Sequence, residues 1–116
     1  MINQVLLSGL ISLDCDVRLI TDPNKPDFAM CEAMLITQDR RKEVVKEIKI
    51  TFFNKLAKDF IKNLHCYKEA LTMYTGEVHY YPKDNKTIIK IVERPQVISK
   101  IAGEAFYGWE YNYRNI

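Results

Sequence analysis

Between residues 46 and 64 the spacing of apolar side chains changes, and that change limits the folds open to this chain. Lys46-Glu47-Ile48-Lys49-Ile50-Thr51-Phe52-Phe53 alternates. Ile48, Ile50 and Phe52 point to one side, and Glu47, Lys49, Thr51 and Phe53 to the other, as in a strand with one covered face. Beyond it, Leu56, Phe60 and Leu64 recur every fourth residue, with Ala57 and Ile61 alongside. That spacing predicts an amphipathic helix of about eleven residues. Its solvated side carries Lys55, Lys58, Asp59 and Lys62. Asn54 stands at the junction and belongs to the residue types that cap helices.

The flanking segments read as further strands. The first covers residues 4–11, with Gly9 inside it. A glycine within a strand marks a bulge or sharp bend, which small closed sheets need. After the turn-rich Thr21-Asp22-Pro23-Asn24-Lys25-Pro26-Asp27, a second strand is expected over 28–37. Gln38-Asp39-Arg40-Arg41-Lys42-Glu43 is a charged hairpin tip leading into the strand over 46–53. Two more strands, 71–81 and 87–98, are joined by a tip at Pro82-Lys83-Asp84-Asn85-Lys86. The order is three strands, a helix and two strands.

The chain has 116 residues, which suits one domain with a small core. Apolar residues make up 47%, so folding rather than disorder is expected. With 17 basic and 15 acidic residues the net charge is +2. That balance permits a polyanionic partner without announcing one, so the placement of charge matters more than its sum. Cys15, Cys31 and Cys66 are scattered, and only His65 adjoins one of them. That spacing does not suit a structural zinc site, and no metal or cofactor is expected. Three cysteines without a secretory signal favour a reducing compartment. No apolar run approaches the ~20 residues of a membrane span. A cytoplasmic protein is expected, with no membrane partner.

Three segments resemble the bacterial single-stranded DNA-binding protein family. Asn3, Val5, Leu7 and Gly9 follow its opening Asn-x-Val-x-Leu-x-Gly, and Asp16-Val17-Arg18 its Asp-Pro-Glu-Val-Arg. Ala33-Met34-Leu35-Ile36-Thr37 is similar to its second long strand. Phe52-Phe53-Asn54-Lys55-Leu56-Ala57 is similar to its Phe-Gly-Lys-Leu-Ala junction. The resemblance spans roughly residues 2–100 and, with the element order, implies an all-β fold with one helix. This is the five-stranded Greek-key OB-fold barrel, its helix between strands three and four. An open α+β sheet with one helix is the rival architecture. Residues 1–100 would then form a nucleic-acid-binding domain and 101–116 an aromatic-rich extension.

Single strands are held by cations along the phosphates and by aromatic side chains that stack on bases. One group of cations is Arg40, Arg41, Lys42, Lys46 and Lys49; the other is Lys83, Lys86 and Lys90. If the fold is right, these flank the binding face, although solvated hairpin tips are charged in any case. Phe53 matches a stacking position of the family. The family's usual tryptophan positions correspond here to Glu47 and to the neighbourhoods of Arg41 and Lys83. Tyr80 and Tyr81 are possible substitutes, or ordinary surface tyrosines of a strand. Weaker and more salt-dependent binding than in typical members is expected.

The resemblance implies homodimers or homotetramers, often built through the first strand, and replication proteins as partners. Typical members end in a flexible tail with an acidic tip. Here Ala105-Phe106-Tyr107-Gly108-Trp109-Glu110-Tyr111-Asn112-Tyr113 stands instead. It suits a packed arm, an interface or a replacement stacking surface. Coating of single-stranded DNA in replication, repair, recombination or mobile-element maintenance is the leading expectation. A primosome-type OB adaptor, bridging proteins to DNA, is the alternative. An enzyme would have to be built from Asp14 and Asp16 with a divalent ion, or from His65 and His79, and the chain is not expected to be one. His65 at the helix end is suited to the helix dipole, and His79 alternates along a strand from which it could touch phosphate.

Overall fold

The computed structural model describes residues 3–12, 15–38, 45–68 and 70–100, with backbone alone at 38, 45 and 46. In chain order the elements are β1 (Val5–Ile11), β2 (Ile20–Asp22), β3 (Lys25–Gln38), β4 (Val45–Phe53), α1 (Asn54–Lys62), α2 (Leu64–Lys68), β5 (Leu71–Tyr81), β6 (Lys86–Ile91) and β7 (Gln96–Ser99). Five of them close into a ring, β1–β3–β4–β6–β5 and back to β1. All pairings in the ring are antiparallel except β4 with β6. The helical segment lies between the third and fourth ring strands. This is the OB topology.

The ring closes because β1 serves two neighbours. Its first part pairs with β5, from Val5↔Gly76 to Gly9↔Thr72, and its end pairs with β3 at Leu10↔Ile36 and Ile11↔Leu35. Gly9 stands at that corner. A Cβ there would run into the backbone carbonyl of Ile36, so only glycine lets the strands approach this closely. The expected bend falls where the sheet turns.

Alternation fills the interior. Ile50 and Phe52 of β4, Cys31, Ala33 and Leu35 of β3, and Tyr74 of β5 are buried. Phe60 of α1 stacks on Phe52 with ring centroids 4.0 Å apart, and Tyr67 of α2 stacks on Phe60 at 5.3 Å. Tyr74 meets Phe52 edge-on at 6.4 Å. Rings in these arrangements add about 0.5–1.5 kcal/mol per pair beyond the area they bury.

Three local expectations need correction. Asn54 does not cap α1: Phe53 holds the cap position without a side-chain hydrogen bond. Asn54 itself has φ 53°, a left-handed conformation that asparagine tolerates, and its Oδ1 accepts a hydrogen bond from the Ala29 N–H at 3.1 Å. The helix stops at Lys62, where Asn63 intervenes before α2. The strand expected over 87–98 is divided into β6 and β7 around Glu93-Arg94-Pro95. Pro95 has no N–H to give to a ladder, and β7 resumes pairing further along β5, at Gln96↔Met73. Among the described residues no helix is long and apolar enough to cross a membrane. The expected extension, residues 101–116, lies outside the described residues.

Candidate nucleic-acid interface

The residues that alternate away from the core assemble one outer face of the ring. Register fixes its members. Met30 of β3 lies opposite Phe53 of β4, and Glu32 opposite Thr51. Thr51 also pairs with Lys90 of β6, and Lys90 faces Glu77 of β5. His79 lies opposite Ile88, and Tyr81 opposite Lys86. Adjacent strand residues point to opposite faces, so Tyr80 and Tyr81 cannot both join this surface. Tyr81 lines it beside Phe53. The Tyr80 hydroxyl instead donates to Asn85 Oδ1 at 2.9 Å.

Phe53 is half-buried among polarisable neighbours. Lys90 Nζ lies 5.7 Å from its ring centroid, within the range of a cation–π attraction. The Phe28 ring is tilted 57° to it at 6.4 Å. Beside it opens a cavity of about 250 Å³. Met30, Phe53 and Ile88 give its apolar walls, and Glu32, Thr51 and Lys86 reach it from the polar side.

The cations are not equivalent. Lys49 and Lys86 both pair with Glu32, at 3.2 and 3.8 Å. Such partly exposed pairs contribute little to stability, but they offset part of the positive charge on the face. Lys83 is exposed on the short helical turn Pro82–Asp84. Lys83 and Lys90 form no ion pair among the described residues. Arg40, Arg41 and Lys42 lie outside the described residues, as does the side chain of Lys46, whose backbone pairs with Thr37.

Sequence reading named Lys49, Phe53, Tyr80, Tyr81, Lys86 and Lys90, which the structure sets on one face except for Tyr80. It missed Phe28, Met30, Glu32 and Ile88. Even-numbered alternation along β3 was the available signal for the first three, once Ala29, Cys31 and Ala33 are taken as core. Behind the face, burial pushes the Cys31 thiol up to about 12, helped by the charge of Glu32.

The residues considered for other chemistry are placed elsewhere or occupied. Asp16 makes an exposed pair with Arg18 at 2.7 Å, and Asp14 lies outside the described residues. His79 Nε2 is 3.0 Å from Glu77 Oε1, and His65 contacts Cys66 Sγ at 3.3 Å. No group of three or more metal-binding side chains comes together among the described residues.

The fold is similar to solved structures of single-stranded DNA-binding proteins. The mitochondrial single-stranded DNA-binding protein Rim1 of S. cerevisiae superposes with TM-score 0.62 at 17% identity, covering 83% of this chain and 95% of that one. An SSB domain from Synechococcus sp. gives 0.59 at 8% identity, over 83% and 96%. The dimeric N-terminal domain of PriB from Thermoanaerobacter tencongensis gives 0.60 at 11% identity, over 83% and 96%. Neither a family model nor a curated relative matches the sequence. The OB fold expected from the element order and the family resemblance is thus the fold of the protein.

Proposed function

We propose that this protein binds single-stranded DNA without sequence specificity, along the outer face of β3, β4, β6 and β5. The observation that carries the proposal is the placement of Lys90 against Phe53 on an open sheet face, the pairing of cation and stacking ring that single strands require. Lys83 and Lys86 at the β5–β6 tip, Lys49 on β4 and Tyr81 extend the track. Arg40, Arg41, Lys42 and Lys46 would continue it from the β3–β4 connection. The protein acts by coating strands during replication, repair or mobile-element maintenance in the cytoplasm, and it is not an enzyme. It assembles as a homodimer or homotetramer. Leu6 of the first strand, 62% exposed, is suited to such a contact. Two of the three structures described above are of single-stranded DNA-binding proteins, which supports the reading.

A second reading is an adaptor that bridges replication proteins to DNA. It is favoured by the Glu32 carboxylate, which offsets part of the positive charge of Lys49 and Lys86, and by the similarity to the PriB domain. Titration of a fluorescent oligothymidine, with duplex competitor and at two salt concentrations, separates the readings. Binding that survives duplex and moderate salt supports coating. Binding lost at moderate salt favours the adaptor, and no binding at low salt overturns both.

A further inference from the structure

A second cavity, of about 310 Å³, opens beside the start of β3, lined by Lys25, Pro26, Asp27, Phe28 and Asn54. It shares no residue with the cavity beside Phe53. A pair of rings joins the two: Phe28 lines one, Phe53 the other, and their centroids lie 6.4 Å apart. Phe28 is only half-buried and lies outside the core cluster. Ala29 and Cys31 are buried, so Phe28 continues the outward row of Met30 and Glu32. The proposed binding face therefore runs past Phe53 toward the turn between β2 and β3.

The groups around this cavity suit a nucleotide. Lys25 is exposed and forms no ion pair among the described residues, whereas Lys49 and Lys86 both meet Glu32. The carboxylate of Asp22, opposite Lys25 in the ladder, accepts the Asn24 N–H instead. Lys25 is thus available to a phosphate. Asn54 Oδ1 is committed to the Ala29 N–H, which leaves the Asn54 amide nitrogen as a donor for an oxygen of the strand. Asp27 opposes a phosphate, which confines that contact to Lys25. The ring spacing favours one form of nucleic acid. Bases stacked along a duplex strand follow one another at about 3.4 Å, roughly half the distance between the two rings. A single strand whose neighbouring bases are drawn apart can set one on each ring.

We infer that Phe28 and this cavity form a second base subsite, in which Phe28 stacks the base next to the one on Phe53 and Lys25 holds a phosphate. The inference rests on the proposed binding of single-stranded DNA. It extends the path of the strand from the β5–β6 tip, across Phe53, to the β2–β3 turn.

The test is a double-mutant cycle on the full chain, with oligothymidine binding read by anisotropy at low salt. Phe28→Ala should weaken binding about 5- to 150-fold, the loss of one stacking platform, and should weaken it again in the Phe53→Ala background. If Phe28 only braces Phe53, its removal costs nothing in that background, and the subsite is overturned. Phe28→Leu keeps apolar bulk and removes the ring face. It should lose affinity without lowering the thermal midpoint, and it serves in place of the alanine variant if that one fails to fold. Lys25→Ala should flatten the salt dependence by about one phosphate contact; an unchanged slope contradicts the phosphate contact. Phe28 variants that bind like the unaltered protein, while Phe53→Ala still weakens binding, overturn the subsite and leave strand binding intact. No binding by the unaltered protein overturns the functional proposal as well.

Discussion

Lys90 Nζ sits 5.7 Å from the centre of the Phe53 ring, although the two residues come from strands separated by the whole helical segment. The parallel pairing of β4 with β6 makes this possible: it sets Thr51 beside Lys90, and Phe53 lies two residues further along the same face. Ring closure and the proposed site are therefore one structural event.

The first prediction concerns the ring. Phe53→Ala should weaken single-strand binding by about 1–3 kcal/mol, the range for loss of one stacking platform. Phe53 is only half-buried and lies outside the aromatic core of Phe52, Phe60 and Tyr74, so the thermal midpoint should move little. Paired titrations and melts check both halves. A large fall in the midpoint would place Phe53 among the residues that hold the fold.

The second concerns charge. Lys90→Ala and Lys83→Ala should each flatten the dependence of log affinity on log salt by about one phosphate contact. Tyr80→Ala should leave both affinity and slope unchanged, because the Tyr80 hydroxyl is turned to Asn85. Titrations at several salt concentrations distinguish these outcomes. A strong effect of Tyr80→Ala would move the binding surface to the opposite face.

A third prediction follows from Cys31, whose thiol is raised from 9.0 to about 12, chiefly by burial. In the unfolded chain the thiol ionises near 9.0, while the folded protein keeps its proton. Above that pH the unfolded state binds fewer protons, so stability falls as pH rises between the two values, by up to about 1.4 kcal/mol per pH unit. Below about pH 8 the group contributes no slope. Denaturation measured from pH 8 to 11 should show a shallower decline in Cys31→Ala than in the unaltered protein. Parallel curves would contradict the burial of this thiol.

The fourth tests closure. Gly9→Ala forces a methyl group against the Ile36 carbonyl. The backbone cannot yield without opening the β1–β3 contact, and a loss of about 1–3 kcal/mol is expected, the range of overpacking. Chemical denaturation measures it. Full stability of the variant would mean that the corner is more open than the structure shows.

Periodicity carried most of the architecture. Alternation over 46–53 placed Ile50 and Phe52 inside and Phe53 outside, and β5 runs over the residues expected of it. Local chemistry misled where tertiary pairing overrode it. Asn54 looks like a cap, yet its side chain is taken by the Ala29 N–H of β3, a partner 25 positions away that no local pattern reveals. Pro95, flanked by Glu93, Arg94 and Gln96, was a break signal between two short apolar runs that reading 87–98 as one strand passed over. The proposed binding face was half legible. Lys90 and Phe53 follow from alternation, whereas the meeting of Glu32 with Thr51 and Lys49 depends on the β3–β4 register, and with Lys86 also on the β4–β6 pairing. That register is a product of closure and is not written in either strand alone.

The most direct test of the account is a map of backbone amide shifts on adding a short oligothymidine to isotope-labelled protein. The account predicts that the largest changes fall on Met30, Glu32, Thr51, Phe53 and Lys90, with Tyr81 and Lys86 at the rim, while Ile20, Leu64 and Val97 stay still. Changes centred on α1 and α2, with the Phe53–Lys90 row unmoved, would contradict it.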